Sequence, residues 1–287
     1  MKVLVTGANG QLGSEIRVLA VDFPNWEFVF TDFEELSITN EKAVLAFFDA
    51  HRPDICINCA AYTAVDKAED ANEQALVEAV NAEAVGFLAA ACKQYASKLI
   101  HISTDYVFDG SAVTPYLETD PPHPASVYGA TKLKGEQLAL QTTDALIIRT
   151  AWVYSSFGKN FVKTMMRLMQ EKPTVNVVDD QRGSPTYAAD LAAVILKIIA
   201  SEKWAPGIYH YTNEGAISWF DFALAIKEIK GYSTRVQPIP TTGYPTPAQR
   251  PAYSVLDKEK IKKTYGIVIP DWRDSLKICI AKICAKE

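Results

Sequence analysis

The stretch Lys2-Val-Leu-Val-Thr-Gly-Ala-Asn-Gly-Gln-Leu-Gly13 opens the chain with an apolar run that leads into a glycine-rich turn. Glycine permits positive φ angles and lets a phosphate approach the backbone. A helix that begins at such a turn presents free N–H groups and the positive end of its dipole. The order of strand, turn and helix predicts a site for a nucleotide pyrophosphate, with a purely structural turn as the alternative. The turn residues expected at this site are Gly7, Asn9, Gly10, Gln11, Leu12 and Gly13.

The first half of the chain alternates strand and helix patterns. Apolar residues at spacings of three and four, such as Val44, Phe47 and Phe48, predict helices, and short apolar runs predict strands. The predicted strands cover residues 2–6, 28–31, 54–58, 98–103 and 145–150, and the predicted helices cover residues 11–21, 41–51, 72–94 and 128–140. This alternation predicts an α/β fold of the Rossmann type, a doubly wound parallel sheet with helices on both faces.

The second half is less regular and predicts a smaller α/β lobe that binds the substrate. Helical patterns cover residues 161–171, 188–201 and 219–229, and strand patterns cover residues 174–178 and 208–211. Five prolines between residues 238 and 251 predict an ordered surface loop. We therefore expect a dinucleotide-binding domain at residues 1–150 and a mainly substrate-binding lobe at residues 151–287, from which some segments can return to the first domain.

The composition narrows the class of protein. The chain has 287 residues, of which 48% are hydrophobic, and a net charge of −5, which argues against a nucleic-acid-binding surface. No apolar run approaches the ~18 residues of a membrane span, and the N-terminus lacks the regions of a signal peptide, so we expect a cytoplasmic protein. An odd number of cysteines is typical of reduced thiols. Cys56-x-x-Cys59 allows redox or zinc chemistry, but its apolar context favours a buried strand.

A phenol and an ammonium lie four residues apart in Tyr128-Gly-Ala-Thr-Lys132, on one face of a predicted helix. A cation beside a phenol lowers its pKa from ~10 and makes it a proton donor near neutral pH. Thr104 ends the fourth strand, where a hydroxyl can hydrogen-bond a substrate carbonyl. These residues, with the glycine turn, predict hydride transfer to a carbonyl; a solvated helix face is the alternative for the pair.

Asp32 lies nineteen residues after Gly13, at the predicted end of the second strand. A carboxylate there would hydrogen-bond the adenosine ribose and repel a 2′-phosphate, which favours NADH over NADPH. A simple turn-forming role is the alternative. The small residues after the third strand, within Asn58-Cys-Ala-Ala-Tyr62, let the backbone approach the cofactor. Its expected contacts there are Ala60, Ala61 and Tyr62.

The motifs together resemble the extended short-chain dehydrogenase/reductase superfamily, and longer runs resemble the dTDP-4-dehydrorhamnose reductase family within it. The resemblance extends nearly from end to end. The longer runs are Ala60-Ala-Tyr-Thr-Ala-Val-Asp-Lys-Ala-Glu69, Ser103-Thr-Asp-Tyr-Val-Phe-Asp-Gly110, Arg149-Thr-Ala-Trp-Val-Tyr154, Asp179-Asp-Gln-Arg-Gly-Ser-Pro-Thr186 and Tyr244-Pro-Thr-Pro-Ala-Gln-Arg-Pro251.

The resemblance implies that a nicotinamide hydride reduces the C4 ketone of dTDP-4-dehydro-L-rhamnose. By the same comparison Tyr128 is the proton donor, Lys132 holds the nicotinamide ribose and tunes Tyr128, and Thr104 orients the ketone. Ser37 and Ile38 occupy the adenine side of the cofactor site, where many relatives carry an acidic residue. The residues implied to line the sugar pocket are Val65, Asp105, Tyr106 and Trp152. Those that would hold the diphosphate or base are Asn160, Arg182 and Arg250.

The resemblance leaves the assembly and the exact activity open. Some family members form dimers around Mg²⁺, and Glu15 and Asp190 fall near matching acidic positions, but no clear third carboxylate follows. We therefore expect no metal, and either a monomer or a homodimer. The alternatives to a reductase are another nucleotide-sugar enzyme, such as an epimerase or dehydratase, and a non-catalytic regulatory subunit that binds NADP(H). Thr104-Asp105-Tyr106 lacks the Asp-Glu pair of a dehydratase.

Overall fold

The computed structural model describes residues 1–286. Its first half alternates strands and helices along the chain, as the sequence predicts. The strands are β1 (Lys2–Thr6), β2 (Glu27–Thr31), β3 (Ile55–Asn58), β4 (Lys98–Thr104) and β5 (Leu146–Thr150). The helices are α1 (Gln11–Leu19), α2 (Glu41–His51), α3 (Gln74–Glu78), α4 (Ala84–Gln94) and α5 (Val127–Thr142). One turn of π-helix, Ala79–Glu83, joins α3 to α4.

The second half contributes short strands and five helices within residues 151–286. The strands are β6 (Val153–Tyr154), β7 (Thr174–Val178), β8 (Arg182–Gly183), β9 (Thr186–Tyr187), β10 (Gly207–His210), β11 (Ile217–Ser218) and β12 (Arg235–Ile239). The helices are α6 (Phe161–Glu171), α7 (Ala188–Ala200), α8 (Trp219–Lys230), α9 (Glu259–Tyr265) and α10 (Trp272–Cys284).

The main sheet has six strands in the order β10-β5-β4-β3-β1-β2, and every neighbouring pair is parallel. Its inner strands are buried on both faces because one apolar cluster forms around α1 and α7 and another around α2 and α4. The predicted Rossmann-type class is therefore confirmed. The carboxyl ends of β1, β3 and β4 lie together, and Thr6, Asn58 and Thr104 are the residues at those ends.

Segments of the second half return to the sheet. β10 pairs with β5, and α7 packs against α1. Residues 188–210 therefore belong to the main sheet and to the helices that cover it. Most of the remaining segments form a third apolar cluster around α6, α8 and α10. This cluster supports the small parallel pair of β7 and β12.

Two local predictions in the second half were wrong or incomplete. The predicted proline loop at residues 238–251 begins inside β12, where Pro238 pairs with β7 as part of a two-stranded sheet. Because β12 has β7 as its partner in that sheet, the missing N–H of Pro238 is tolerated at the free edge. The helices α9 and α10 were not predicted, although Leu276, Cys279, Ile280 and Ile283 follow helical spacing and are buried.

The stretch from α3 to α4 forms one long apolar helical segment. Gln74–Gln94 is long and apolar enough to pass a test for a membrane span, with a mean hydropathy of 1.5 over 18 residues, of which 50% are buried. Glu78, Asn81 and Glu83 interrupt the stretch, so it is not one continuous apolar run. Buried helices of globular proteins pass the same test, and Ala84, Leu88 and Cys92 lie in the core beneath the sheet.

The cysteine pair of the third strand lies inside the fold. Cys56 is fully buried in β3 beside Cys92 of α4, and Cys59 follows the strand. Burial and the neighbouring Cys92 raise the pKa of Cys56, and burial raises that of Cys59. Both thiols are therefore held in the protonated form, as the core interpretation predicts.

Candidate active site

The glycine turn is shaped by close backbone approach. Gly7 has φ +63°, and a Cβ atom there would lie 2.6 Å from the backbone nitrogen of Ala60. A Cβ atom on Gly13 would lie 2.5 Å from the Gly7 carbonyl oxygen. No side chain caps the first turn of α1, which follows Gly10. The uncapped helix end and the bare turn fit a pyrophosphate, because both offer backbone N–H groups to an anion.

The turn is joined to the end of β2 through Asp32. The Oδ2 atom of Asp32 accepts a hydrogen bond from the backbone N–H of Asn9 at 2.8 Å, and its Oδ1 atom accepts one from Phe33 at 2.9 Å. Asp32 therefore lies where the sequence predicts it, beside the turn. Ser37 is half-buried near it, whereas Ile38 packs into the core with Val44 and Phe48.

The segment after β3 is held by an asparagine that the sequence did not identify. Asn81 in the π-helical turn accepts from the backbone N–H of Tyr62 at 2.9 Å and donates to its carbonyl at 3.1 Å. The hydroxyl of Tyr62 donates to Glu73 at 2.9 Å. Ala60 and Ala61 are thereby fixed beside the glycine turn. The alanine-rich helical pattern around Asn81 carries no signal for a π-helical turn, although such turns often occur at functional sites.

Thr104 and Tyr128 meet at the carboxyl end of β4. Both side chains are buried, and the Thr104 hydroxyl lies close enough to Tyr128 to lower the pKa of the phenol. Thr104 also donates to Asp105 at 3.0 Å, and the ring of Tyr106 lies edge-on to Tyr128 at 5.6 Å between centroids. Burial raises the pKa of Tyr128, the Thr104 hydrogen bond opposes this, and the Asp105 carboxylate adds to it. The phenol is therefore protonated at neutral pH and can donate its proton.

Lys132 lies one helical turn from Tyr128, but its hydrogen bonds go elsewhere. Its Nζ atom donates to the carbonyl of Ile102 at 2.6 Å and faces the Nε2 atom of His101 at 3.2 Å. Burial lowers the pKa of Lys132 to about 8. Burial dominates the pKa of Tyr128, and the lowering effect expected of Lys132 stays a prediction.

An adjacent cavity of about 450 Å³ brings part of the predicted substrate set together. Val65, Tyr106 and Arg250 line it, with apolar side chains from α6 and β7. Arg250 donates to the Tyr106 hydroxyl at 3.3 Å and to Asp66 at 2.6 Å. Trp219 lines the cavity and stacks on Trp152 at 3.6 Å, so Trp152 supports the wall from behind.

The other two predicted phosphate or base residues lie apart from Arg250. Asn160 caps α6 through Lys163 and donates to the Oε1 atom of Gln11 at 2.9 Å, which places it beside the glycine turn. Arg182 is exposed and pairs with Asp221 at 3.2 Å. Cavity residues that the sequence reasoning missed include Gln181, Trp219, Tyr244 and Thr246, and Asp66 supports the site by holding Arg250.

The two acidic residues considered for Mg²⁺ have protein partners. Glu15 is buried and accepts from the hydroxyl of Ser155 at 2.6 Å. Asp190 accepts from Asn213 at 2.7 Å and from Ser275 at 2.5 Å. Within residues 1–286, no group of three His, Cys, Asp or Glu side chains is arranged to hold a metal ion.

Comparison with known proteins decides the family. The model described as RmlD substrate binding domain matches residues 1–284. A dTDP-4-dehydrorhamnose reductase from Aggregatibacter actinomycetemcomitans is 44% identical, over 96% of this chain and 97% of the relative. The chain belongs to the dTDP-4-dehydrorhamnose reductase family.

Two solved structures extend the likeness from sequence to fold. A dTDP-4-dehydrorhamnose reductase from Clostridium acetobutylicum has a TM-score of 0.94 at 44% identity, covering 98% of this chain and 99% of that one. Another from Bacillus anthracis, solved in complex with NADP, has a TM-score of 0.93 at 38% identity with the same coverage. Membership of the dTDP-4-dehydrorhamnose reductase family therefore confirms the resemblance seen in the sequence.

Proposed function

We propose that the protein reduces the C4 ketone of dTDP-4-dehydro-L-rhamnose to dTDP-L-rhamnose, the last step of dTDP-rhamnose synthesis. The observation that carries this proposal is the meeting of Thr104 and Tyr128 at the end of β4, between the glycine turn and the cavity that Arg250 lines. Family membership supports the substrate class. The buried, protonated phenol supports proton donation to a carbonyl oxygen.

The proposed chemistry assigns each residue one task. When bound, the reduced nicotinamide supplies the hydride to C4. Tyr128 gives its phenolic proton to the developing alkoxide, and Thr104 donates a hydrogen bond that orients the same oxygen. Lys132 is fixed on the Ile102 carbonyl, one helical turn from Tyr128, and would hold the nicotinamide ribose. General acid catalysis of this kind contributes ~10²–10⁴-fold in rate.

The cofactor is a nicotinamide dinucleotide, and we propose that NADH is preferred. Asp32 already accepts two backbone hydrogen bonds, from Asn9 and Phe33, so its carboxylate is fixed at the end of β2. A fixed negative charge there would repel a 2′-phosphate. The Bacillus anthracis relative was solved with NADP, so the preference is one of degree. Mg²⁺ is not part of the proposal.

The other partners follow from the same proposal. A nucleotide sugar is the expected small-molecule substrate, and neither a nucleic acid nor a membrane is expected. The protein would act in the cytoplasm, as a monomer or a homodimer. A regulatory subunit that only binds NADP(H) remains the second candidate, and the intact pair of Thr104 and Tyr128 argues against it.

The decisive experiment follows oxidation of the reduced cofactor with dTDP-4-dehydro-L-rhamnose made in situ. The wild-type protein should oxidise one NADH per ketone, whereas Tyr128→Phe should lose ~10²–10⁴-fold in kcat while still binding NADH. The matched control is Tyr209→Phe, which removes a hydroxyl that donates to the Ala205 carbonyl outside the reacting group. Near-normal turnover by Tyr128→Phe would refute the assigned acid. Cofactor binding without any oxidation would favour the regulatory candidate.

A further inference from the structure

His101 is a fully buried histidine at the centre of the sheet, three residues before Thr104 in β4. Its ring lies between two other buried polar side chains. The Nδ1 atom faces the Nδ2 atom of Asn58 at 3.1 Å, and the Nε2 atom faces the Nζ atom of Lys132 at 3.2 Å. Neither the mechanism above nor the sequence motifs give this ring a role.

The orientation of Asn58 is fixed by its other contacts. Its Oδ1 atom accepts the backbone N–H of Ala60 at 3.1 Å and the hydroxyl of Thr6 at 2.7 Å. A backbone N–H can only donate, so the atom opposite Ala60 must be the amide oxygen. The amide nitrogen of Asn58 therefore faces His101, and it can only donate as well.

This geometry selects one tautomer of His101. Because Asn58 donates to Nδ1, that nitrogen must carry a lone pair, and the proton of the neutral ring then lies on Nε2. The doubly protonated ring is excluded because its Nδ1–H would face the amide donor of Asn58, and burial also lowers the pKa of His101. The Nε2–H group consequently points at the nitrogen of Lys132.

A histidine N–H and a lysine ammonium are both donors, so the contact is favourable only when Lys132 is a neutral amine. A neutral amine has two N–H groups and one lone pair. One N–H then donates to the Ile102 carbonyl at 2.6 Å, and the lone pair accepts the Nε2–H of His101. Both observed contacts of the Lys132 nitrogen are satisfied in this state.

Two other titratable groups around Lys132 favour its ammonium form. Glu136, one turn further along α5, raises the pKa of Lys132, as does Cys59 beyond β3. Glu136 is itself held by Arg149 of β5 in a buried ion pair, with bonds of 2.9 and 2.7 Å. Its charge is therefore largely neutralised, whereas His101 contacts the nitrogen directly.

We propose that His101 is a positioning residue that weakens the hold of Lys132 on its proton, acting through the chain Thr6–Asn58–His101–Lys132. A group exchanges protons most readily when its pKa lies near the working pH. When Tyr128 has given its proton to the substrate oxygen, one proton from solvent must restore the phenol, and Lys132, one helical turn away, can pass that proton on because it holds it weakly. This role in turnover rests on the proposed function, but the tautomer does not.

The first test is ¹⁵N NMR of the histidine rings in the wild-type protein without substrate. His101 should show protonated Nε2 and bare Nδ1, with no ring titration across the pH range in which the fold is stable. His210 is an internal reference of the opposite kind, because its Nδ1 faces the Tyr116 carbonyl at 3.2 Å and must carry the proton. Substitution of His51 and His123 by Gln assigns the remaining signals. Protonated Nδ1 on His101 overturns the proposal.

The second test compares the pH dependence of kcat/KM, which reports groups of the free enzyme. The basic limb should lie below pH 8 in the wild type, since burial, opposed by Glu136 and Cys59, brings the pKa of Lys132 to about 8 and the Nε2–H of His101 opposes the ammonium further. In His101→Gln the amide oxygen can accept from an ammonium, so the limb should move up by about one pH unit. His123→Gln is the matched control, because it makes the same exchange at an exposed histidine. An unmoved limb in folded His101→Gln overturns the proposal. A protein without activity on the dTDP-sugar leaves the NMR test intact.

Discussion

At the scale of single residues, burial decides which side chains of the site carry a charge. Asp105 is buried beside Thr104, and burial raises its pKa from 3.8 to about 6, although hydrogen bonds from Ser254 and Thr104 oppose the shift. Its Oδ2 atom has no hydrogen-bond partner. The protein therefore keeps, next to the Tyr128 phenol, a carboxyl group whose ionised form is unfavourable. Such groups are common at active sites.

Asp105 makes stability depend on pH. The folded state binds this proton more tightly than the unfolded chain, so the contribution is fully present below pH 3.8 and is lost as the pH rises through about 6. A shift of about two units corresponds to ~3 kcal/mol. We expect Asp105→Asn to lack this loss, so that its free energy of unfolding gains ~3 kcal/mol on the wild type between pH ~4 and ~7 in urea titrations. Parallel curves for the two proteins would contradict the shift.

Asp32 gives the residue-scale prediction for the cofactor. Asp32→Ala removes the carboxylate that Asn9 and Phe33 hold at the end of β2. We expect the ratio of kcat/KM for NADH over NADPH to fall by about tenfold, or ~1.4 kcal/mol. Glu34→Ala is the control, because it removes an exposed charge of the same sign two residues away. An equal change in both variants would indicate a general charge effect in place of a ribose contact.

The candidate site was predictable where it rests on short motifs. The glycine turn, Thr104 and Tyr128 lie together as their positions at strand and helix ends require. The hydrogen bonds of Lys132 were not predictable, because a spacing of four shows which face a side chain occupies and not which partner it meets. Trp219 was missed for the same reason, since its place in the cavity depends on packing between segments distant in sequence.

At the scale of elements, the contact of α5 with the helical stretch before it sets the position of Tyr128 and Lys132. Gly135 on α5 has no room for a side chain, since a Cβ atom there would collide with the carbonyl oxygen of Asn81. A Cβ atom on Gly86 of α4 would make an ordinary contact of 3.5 Å with Leu138. A side chain at Gly135 would therefore clash, whereas Gly86 has room for a methyl group.

This difference predicts opposite effects of the same substitution. Gly135→Ala should destabilise the protein by ~1–3 kcal/mol because the helices must separate. Gly86→Ala should be neutral or stabilise it by ~0.5–1 kcal/mol, since alanine restricts the unfolded chain and favours a helix. Thermal unfolding of both variants measures the difference. Equal melting temperatures would show that the contact of α5 with the π-helical turn is loose.

The elements were predictable in proportion to how regular their patterns are. The bounds predicted for α2, α6 and β7 agree with the structure because each has a clear apolar period or a definite cap, such as Asn40 before α2 and Asn160 before α6. The strand β12 was hidden by Pro238, whose tolerance depends on its edge position. The π-helical turn at residues 79–83 was also hidden, because an extra residue in a helix leaves no compositional signal.

At the scale of the whole molecule, the chain does not divide cleanly at residue 150. β10 covers the outer edge of β5, and α7 covers α1, yet both come from residues 188–210. We expect the fragment of residues 1–150 to be unfolded or aggregated alone, since it exposes an unpaired strand edge and an apolar helix face. Circular dichroism and limited proteolysis against the full chain measure this. A stable, monomeric fragment would show that β10 and α7 are dispensable.

The loop that carries Arg250 is tied down from the dinucleotide-binding side. Asp66 holds its guanidinium, and a Cβ atom on Gly110 would meet Pro251 at 2.5 Å, so this part of the loop rests against the bare backbone of Gly110. Because the loop is ordered by contacts within the protein, the nucleotide sugar of the proposed function would lose little affinity to immobilising it. Association should then resemble docking onto a rigid surface, and differences between nucleotides should appear mainly in how slowly each one leaves.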